Sequence, residues 1–300
     1  MVERSRKGGA PLLLLESGDF LFKGKPRTDE EAAAARRKAG LILRAYRRMG
    51  YDAVLPGGAD FAAGLSFLMG KEGSGIPFTC LNLVPADGEK AVFPRSRSIA
   101  RGGVRIIVVG VLGEGAIPRD TLSENGWKIL PAEAALSGFL RQEDAAAADL
   151  VVVLSRLSPG ENLAVARSSP IPVILLSPPS RGVAAPVFAA GSAILPSRDQ
   201  GTHFLEVTVG SGPGGLARAG FAEDGTAMEY GERRRRLPAE TAAVEERRRA
   251  LHQRTLDAYH AIREADGKRG LSYRWIPLDA TIPDDPQVKS MIGTYKQENP

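Results

Sequence analysis

The sequence predicts an α/β fold: two mixed β-sheets packed as a sandwich and flanked by helices, with a C-terminal helical extension. Two observations predict it. In the early part, apolar strand-like runs alternate with segments of helical periodicity, which suits parallel pairing. In the later part, strand-like runs follow one another closely, which suits antiparallel pairing. A mixed pair of sheets fits both better than one doubly wound sheet does.

The elements follow in order. Residues 11–17 read as a buried strand. Residues 29–49 read as an amphipathic helix, opened by Thr28 with Glu30 and Glu31 in its first turn and closed by basic residues and Gly50. A short strand at 52–56, a helix at 58–70 and a strand at 77–83 come next. Residues 90–99 and 103–112 read as a hairpin turning at Arg101-Gly102-Gly103. An alanine-rich helix at 132–147, a strand at 149–155, a helix at 160–168 and a strand at 171–176 complete the alternation. Strand-like segments at 187–195 and 203–209 end a first domain, residues 1–210.

Beyond it the texture changes. Gly210 to Gly215 and the residues to 238 read as a linker. Residues 239–300 read as a helical extension, with one long helix at 239–265, a tail holding Trp275 and a short helix near 284–297. Trp275 is expected to anchor the tail on the main domain.

Bulk numbers exclude several classes. At 43% hydrophobic residues the chain has enough for a sizeable core, yet no apolar stretch approaches the roughly 20 residues that span a bilayer. Leu12 to Leu15 make one buried strand and end in Glu16, so no export signal is read. The expected compartment is the cytoplasm as the chain stands, or an extracytoplasmic one if an export signal precedes this start. The single cysteine, Cys80, excludes an internal disulfide and a cysteine-built zinc or haem site, and its apolar surroundings suit a buried position. Net charge is +5, with much of the basicity in Arg233–Arg236 and Arg247–Arg249. Those runs are the candidate surface for an anionic partner; no specific partner is indicated.

Chemistry concentrates in four segments: Glu16-Ser-Gly-Asp19-Phe20-Leu21, Gly50 to Phe61, Leu150 to Leu157 and Val173 to Ser180. Their order and framework resemble the metallophosphoesterase (calcineurin-like) superfamily, nearest to the N-terminal domain of bacterial 5′-nucleotidases of the UDP-sugar hydrolase type. The phrase Met49-Gly-Tyr-Asp-Ala-Val54 carries the resemblance best, supported by Phe61, Gly64, Pro77-Phe78, Asn82-Leu83 and Ile106 to Val111. The resemblance covers roughly residues 10–210.

In that family two divalent metals polarise a phosphate ester and activate water. The resemblance implies where their ligands would stand. Gly18-Asp19 matches the Gly-Asp motif, whose carboxylate bridges both metals. The Gly-Asn-His-Glu motif is Gly57-Gly58-Ala59-Asp60 here, so Gly58 replaces the amide ligand and Ala59 the catalytic imidazole. Arg156 replaces a histidine, and Ser177-Pro178-Pro179-Ser180 replaces Gly-His-x-His, with Pro178 and Ser180 at the histidine positions. Asp19 alone matches a ligand. His203, His252 and His260 fall at none of these positions.

The expected site is therefore a vestige made of Asp19, Gly58, Ala59, Asp60, Arg156, Pro178 and Ser180, with no catalytic residue, no metal and no other cofactor. Arg156 is expected to pair with Asp19 or Asp60 in place of the lost cations. The reading is a divergent 5′-nucleotidase-like domain that has lost phosphoester hydrolysis and serves as a binding or structural module. Two alternatives stand beside it: an active phosphoesterase with a rearranged or truncated site, and an arginine-rich interaction protein.

Overall fold

The computed structural model describes residues 6, 11–24, 26–88, 90–142, 145, 147–178, 186–197, 202–210, 221–223, 269–278, 282 and 284–299. Strand β1 (Leu15–Glu16) leads into helix α1 (Asp29–Met49), which returns the chain to β2 (Ala53–Val54), parallel to β1. The local chemistry sets both ends of α1. Thr28 Oγ1 accepts the Glu31 amide at 3.1 Å, and Gly50, at φ 68°, donates its N–H to the carbonyls of Tyr46 and Arg47.

The expected helix over 58–70 is instead a 3-10 turn, Gly58–Ala63, followed by α2 (Leu65–Met69). Gly64 separates them at φ 83°, a conformation that a helix cannot contain. The stretch expected as a strand over 77–83 makes no ladder before β3 (Leu83–Pro85), only an isolated bridge of Phe78 with Val54. Its amides go one each to different neighbours: Thr79 to Val54, Cys80 to Pro94 and Leu81 to Gly110.

A hairpin, β4 (Ser96–Arg101) and β5 (Val104–Leu112), is followed by α3 (Arg119–Glu124) and β6 (Trp127–Ile129). Then come α4 (Ala132–Leu140), β7 (Leu150–Arg156), α5 (Pro159–Ser168) and β8 (Ile174–Ser177). The segment 187–195 resolves into two strands, β9 (Val187–Ala189) and β10 (Ser192–Pro196). Strands β11 (His203–Val209), β12 (Phe221–Glu223) and β13 (Arg269–Pro277) and helix α6 (Pro286–Glu298) complete the order.

The main sheet has the order β4-β5-β7-β8-β10-β9, with its four central strands parallel and its two edge strands antiparallel. Strict alternation divides its side chains between two cores. Ile107, Val109, Val111, Val151 and Val153 pack against α4 and α5. Ile106, Val108, Leu112, Val152 and Leu154 face the opposite way, toward Val54 and Leu55 and the Leu205, Val207 and Leu271 side of the β11-β13-β12 sheet. Gly110 belongs to this second face. A Cβ there would meet the Thr79 carbonyl oxygen at 2.4 Å, so the layers touch backbone to backbone.

One correction concerns the tail. Within the expected helical extension, residues 269–277 form a strand that pairs antiparallel with β11 over 271–277 and parallel with β12 over 269–271. Trp275 lies on it, buried, with its indole N–H donating to the Pro196 carbonyl at 3.2 Å. The C-terminal helix is present as α6, capped by Asp285. The long helix expected over 239–265, with Arg233–Arg236, Arg247–Arg249, His252 and His260, lies outside the described residues. Among the described residues no helix is long and apolar enough to cross a membrane.

Candidate functional site

Parallel pairing brings the chemistry-bearing segments to one edge. β1 and β2 run side by side, so the loops leaving their C-terminal ends, 17–22 and 55–61, are neighbours. β5, β7 and β8 are also parallel neighbours, and Leu112, Arg156 and Ser177 are their last residues. Loops at the carboxyl ends of parallel strands are where such sheets hold their sites.

Asp60 organises the first pair of loops. Its carboxylate is fully buried and accepts four backbone amides. Oδ2 takes Asp19 N and Gly57 N, each at 2.8 Å. Oδ1 takes Phe20 N at 3.0 Å and Leu21 N at 2.8 Å. Burial pushes the Asp60 pKa up, to about 7, and Glu16 adds to the rise, while the amides pull it down. The sequence suggests a helix-first-turn acid. Asp60 does reach back to the Gly57 amide as such an acid would, but its larger role is to clamp a loop some forty residues away in sequence.

That loop is tightly wound. Gly18 and Asp19 both have left-handed backbones, φ 99° and 61°. Gly18 is required there, since a Cβ would lie 2.8 Å from Gly57 N. Aspartate is among the few residues that tolerate the Asp19 conformation.

Asp19 has both carboxylate oxygens engaged. Oδ1 accepts the Ala59 amide at 2.9 Å, and Oδ2 accepts the Arg156 guanidinium in a direct ion pair. The pair is partly buried, with side-chain exposures of 23% for Arg156 and 26% for Asp19. Burial lowers the Arg156 pKa and nearby Glu16 raises it.

Glu16 is not among the positions the resemblance marks as a site, although an acid ending the apolar run Leu12–Leu15 just before Gly18-Asp19 is a usable signal. Its carboxylate accepts the Tyr46 hydroxyl at 2.9 Å and the Ser17 amide at 2.9 Å. Burial raises its pKa, and the Tyr46 hydroxyl works against the rise. Tyr46 is itself stacked between Phe20 and Tyr51, with ring centroids at 4.6 and 4.2 Å.

Gly58 does not leave an open space. A Cβ at this position would fall 1.8 Å from the Ala116 carbonyl oxygen, so the loop after β5 lies directly against it. Ser177 is buried at the end of β8, and Pro178 follows it. Ser180 lies outside the described residues. The edge thus joins Asp19, Gly58, Ala59, Asp60 and Arg156 by direct contacts or by the loops they share, with Ser177 and Pro178 two strands from β5.

These residues do not fit a pair of divalent metals. Asp19 has both oxygens occupied, Gly58 and Ala59 offer no donor side chain, and Arg156 sets a positive charge directly on the Asp19 carboxylate. Among the described residues, no group of three or more His, Cys, Asp or Glu is arranged to hold a metal ion.

Replacing Arg156 by alanine strands the Asp19 carboxylate. An exposed pair is worth at most about 1 kcal/mol, and breaking a buried one costs about 3–5 kcal/mol. For side chains only about a quarter exposed the expected loss is about 2 kcal/mol in urea unfolding. Faster amide exchange at Asp19 and Phe20 should accompany it. A loss below the error of the unfolding curve would mean the pair carries no structural weight.

No family model matches the chain, and no curated protein sequence is similar to it. Solved structures are similar in fold. The sulfate thiohydrolase SoxB of Thermus thermophilus superposes with a TM-score of 0.68 at 15% identity, covering 99% of this chain and 44% of that one. A 5′-nucleotidase precursor of Thermus thermophilus gives 0.63 at 14% identity, covering 99% and 51%. The calcineurin-like phosphoesterase YfkN of Bacillus subtilis gives 0.59 at 14% identity, covering 99% and 86%. The chain spans about half the length of the first two. The fold is of the metallophosphoesterase type seen in these structures.

Proposed function

We propose that this metallophosphoesterase-fold domain has lost two-metal phosphoester hydrolysis and acts as a binding or structural module. The observation that carries the reading is the ion pair of Arg156 with Asp19. The one carboxylate at a former ligand position is neutralised from within the chain, so the site is stable without cations. The Ala116 carbonyl against Gly58 supports the same reading, because the place of a second ligand is taken by backbone. Two-metal chemistry draws both its nucleophile and its charge stabilisation from the metals, so partial loss of ligands is not a graded defect.

Purified protein is expected to bind no stoichiometric Mn²⁺ or Zn²⁺. In Mn²⁺ it is expected to hydrolyse p-nitrophenyl phosphate and nucleotides no faster than buffer does. Metal-dependent turnover that disappears in Asp19→Ala would reverse the proposal.

A further inference from the structure

A second concave surface lies on α1. A groove of about 380 Å³ is lined by Arg36, Arg37, Gly40 and Arg44 of α1, by Ala63, by Ser66 and Phe67 of α2, and by Glu72. Three guanidiniums face one carboxylate there. No carboxylate among the described residues lies within salt-bridge distance of Arg36, Arg37 or Arg44, in contrast to Arg48, which approaches Asp285 at 3.9 Å. Arg47, one turn on, is tied to the Glu72 carbonyl at 3.2 Å.

The helix itself supplies no compensation. The positions three and four residues from Arg36 and Arg37 hold alanine, glycine or leucine, and those following Arg44 are Arg47 and Arg48. Like charges at this spacing repel. An ordinary solvated helix face would intersperse glutamates.

Gly40 gives an independent observation. It is buried in the middle of α1, where glycine weakens a helix relative to alanine. No packing contact demands it. A Cβ would meet only Arg44 Nη1, at an ordinary 3.6 Å. Gly40 lines the groove between Arg36 and Arg44, the residues one turn either side, and its lack of a side chain lets the Arg44 guanidinium lie close over the helix.

We infer that this groove binds a small linear polyanion of the condensed-phosphate class, either free or as the polyphosphate portion of an organic phosphate. Guanidinium forks match phosphate oxygens, and several close together favour multiply charged over singly charged ligands. Residues 36 and 44 are about 12 Å apart along the helix, more than one phosphate spans. The groove volume suits a small molecule. Ser66 of α2 also lines the groove and carries a hydroxyl. None of the lining residues is one of those placed at the Asp19–Arg156 edge, and the inference does not depend on whether that edge is inactive.

The test is calorimetric titration of the full chain with orthophosphate, tripolyphosphate and adenosine triphosphate at fixed salt. Tripolyphosphate is expected to bind at least about tenfold more tightly than orthophosphate, and Arg37→Ala/Arg44→Ala to weaken it by about tenfold or more. Arg141→Ala, which removes an exposed arginine elsewhere, should leave binding within about twofold. Gly40→Ala should raise Tm yet weaken tripolyphosphate binding, a split that a purely structural role for the glycine would not give. Tighter binding of adenosine triphosphate than of tripolyphosphate would point to the organic ligand, and the reverse to the free one. The inference is overturned by equal losses in Arg141→Ala, by unchanged binding in Gly40→Ala, or by no preference for tripolyphosphate over orthophosphate. It is equally overturned if duplex DNA binds through these arginines while tripolyphosphate does not.

Discussion

Asp60→Ala is expected to lower unfolding stability by about 4 kcal/mol or more at pH 8, enough to leave a marginal domain largely unfolded. The reason is the number of donors that lose an acceptor. Four amides, those of Asp19, Phe20, Leu21 and Gly57, converge on this one buried carboxylate. Each donor stranded away from water costs about 1–3 kcal/mol, less whatever water entering the space recovers. Asp60→Asn is the sharper comparison. Its carbonyl oxygen can still accept two of the amides, but its NH₂ group faces the other two, so about half the loss is expected. Urea midpoints read both. An Asp60→Ala protein within about 1 kcal/mol of the parent would show that Asp60 does not hold the two loops together.

Gly58→Asn, which would supply the amide that the sequence resemblance implies at this position, is expected to destabilise the fold by about 3 kcal/mol and to confer no metal binding. The obstacle is backbone. The Ala116 carbonyl oxygen stands 1.8 Å from the place of the new Cβ, and a main-chain group cannot swing aside as a flexible side chain can. Adding Ala59→His should not help, because the Arg156 guanidinium remains on Asp19. Thermal unfolding and a metal titration by calorimetry read the result. A Gly58→Asn protein that melts like the parent and takes up Mn²⁺ would mean the loop holding Ala116 yields easily, and the site is dormant rather than closed.

The parts of the fold legible in the sequence are those set by local chemistry. Thr28 and Gly50 mark the ends of α1 because capping is decided within a few residues. The hairpin at Gly102-Gly103 and the apolar β5 were readable from turn residues and β-branched runs. The break at Gly64 was not, since glycine inside an apolar periodic stretch reads as a weak helix residue until tertiary contacts choose its φ. Residues 77–82 look like a strand, but their partners lie in three places, which no local pattern encodes. β13 failed for the same reason: its partner β11 is remote in sequence.

At the site, Asp19 and Arg156 were legible as positions in a family framework, and the contact between them follows from parallel strands ending at one edge. The convergence of four amides on Asp60 and the approach of Ala116 to Gly58 are backbone events between loops distant in sequence. Residue identity alone does not report them.

The pairing of β11 with β13 also bears on how the chain is made. Ladder partners His203 and Pro277 are separated by more than seventy positions, so β11 leaves the ribosome well before its central neighbour exists. Until then its edge amides and carbonyls are unpaired, and apolar groups such as Leu205 and Val207 lack the sheet that holds Leu271 and Trp275. Loop-closure entropy rises only slowly with length, so the delay does not much penalise the finished fold. It matters during synthesis. The parallel core can assemble on the nascent chain, while the last sheet must wait for release of residues 269–277, and that interval is when the half-built layer is exposed to aggregation.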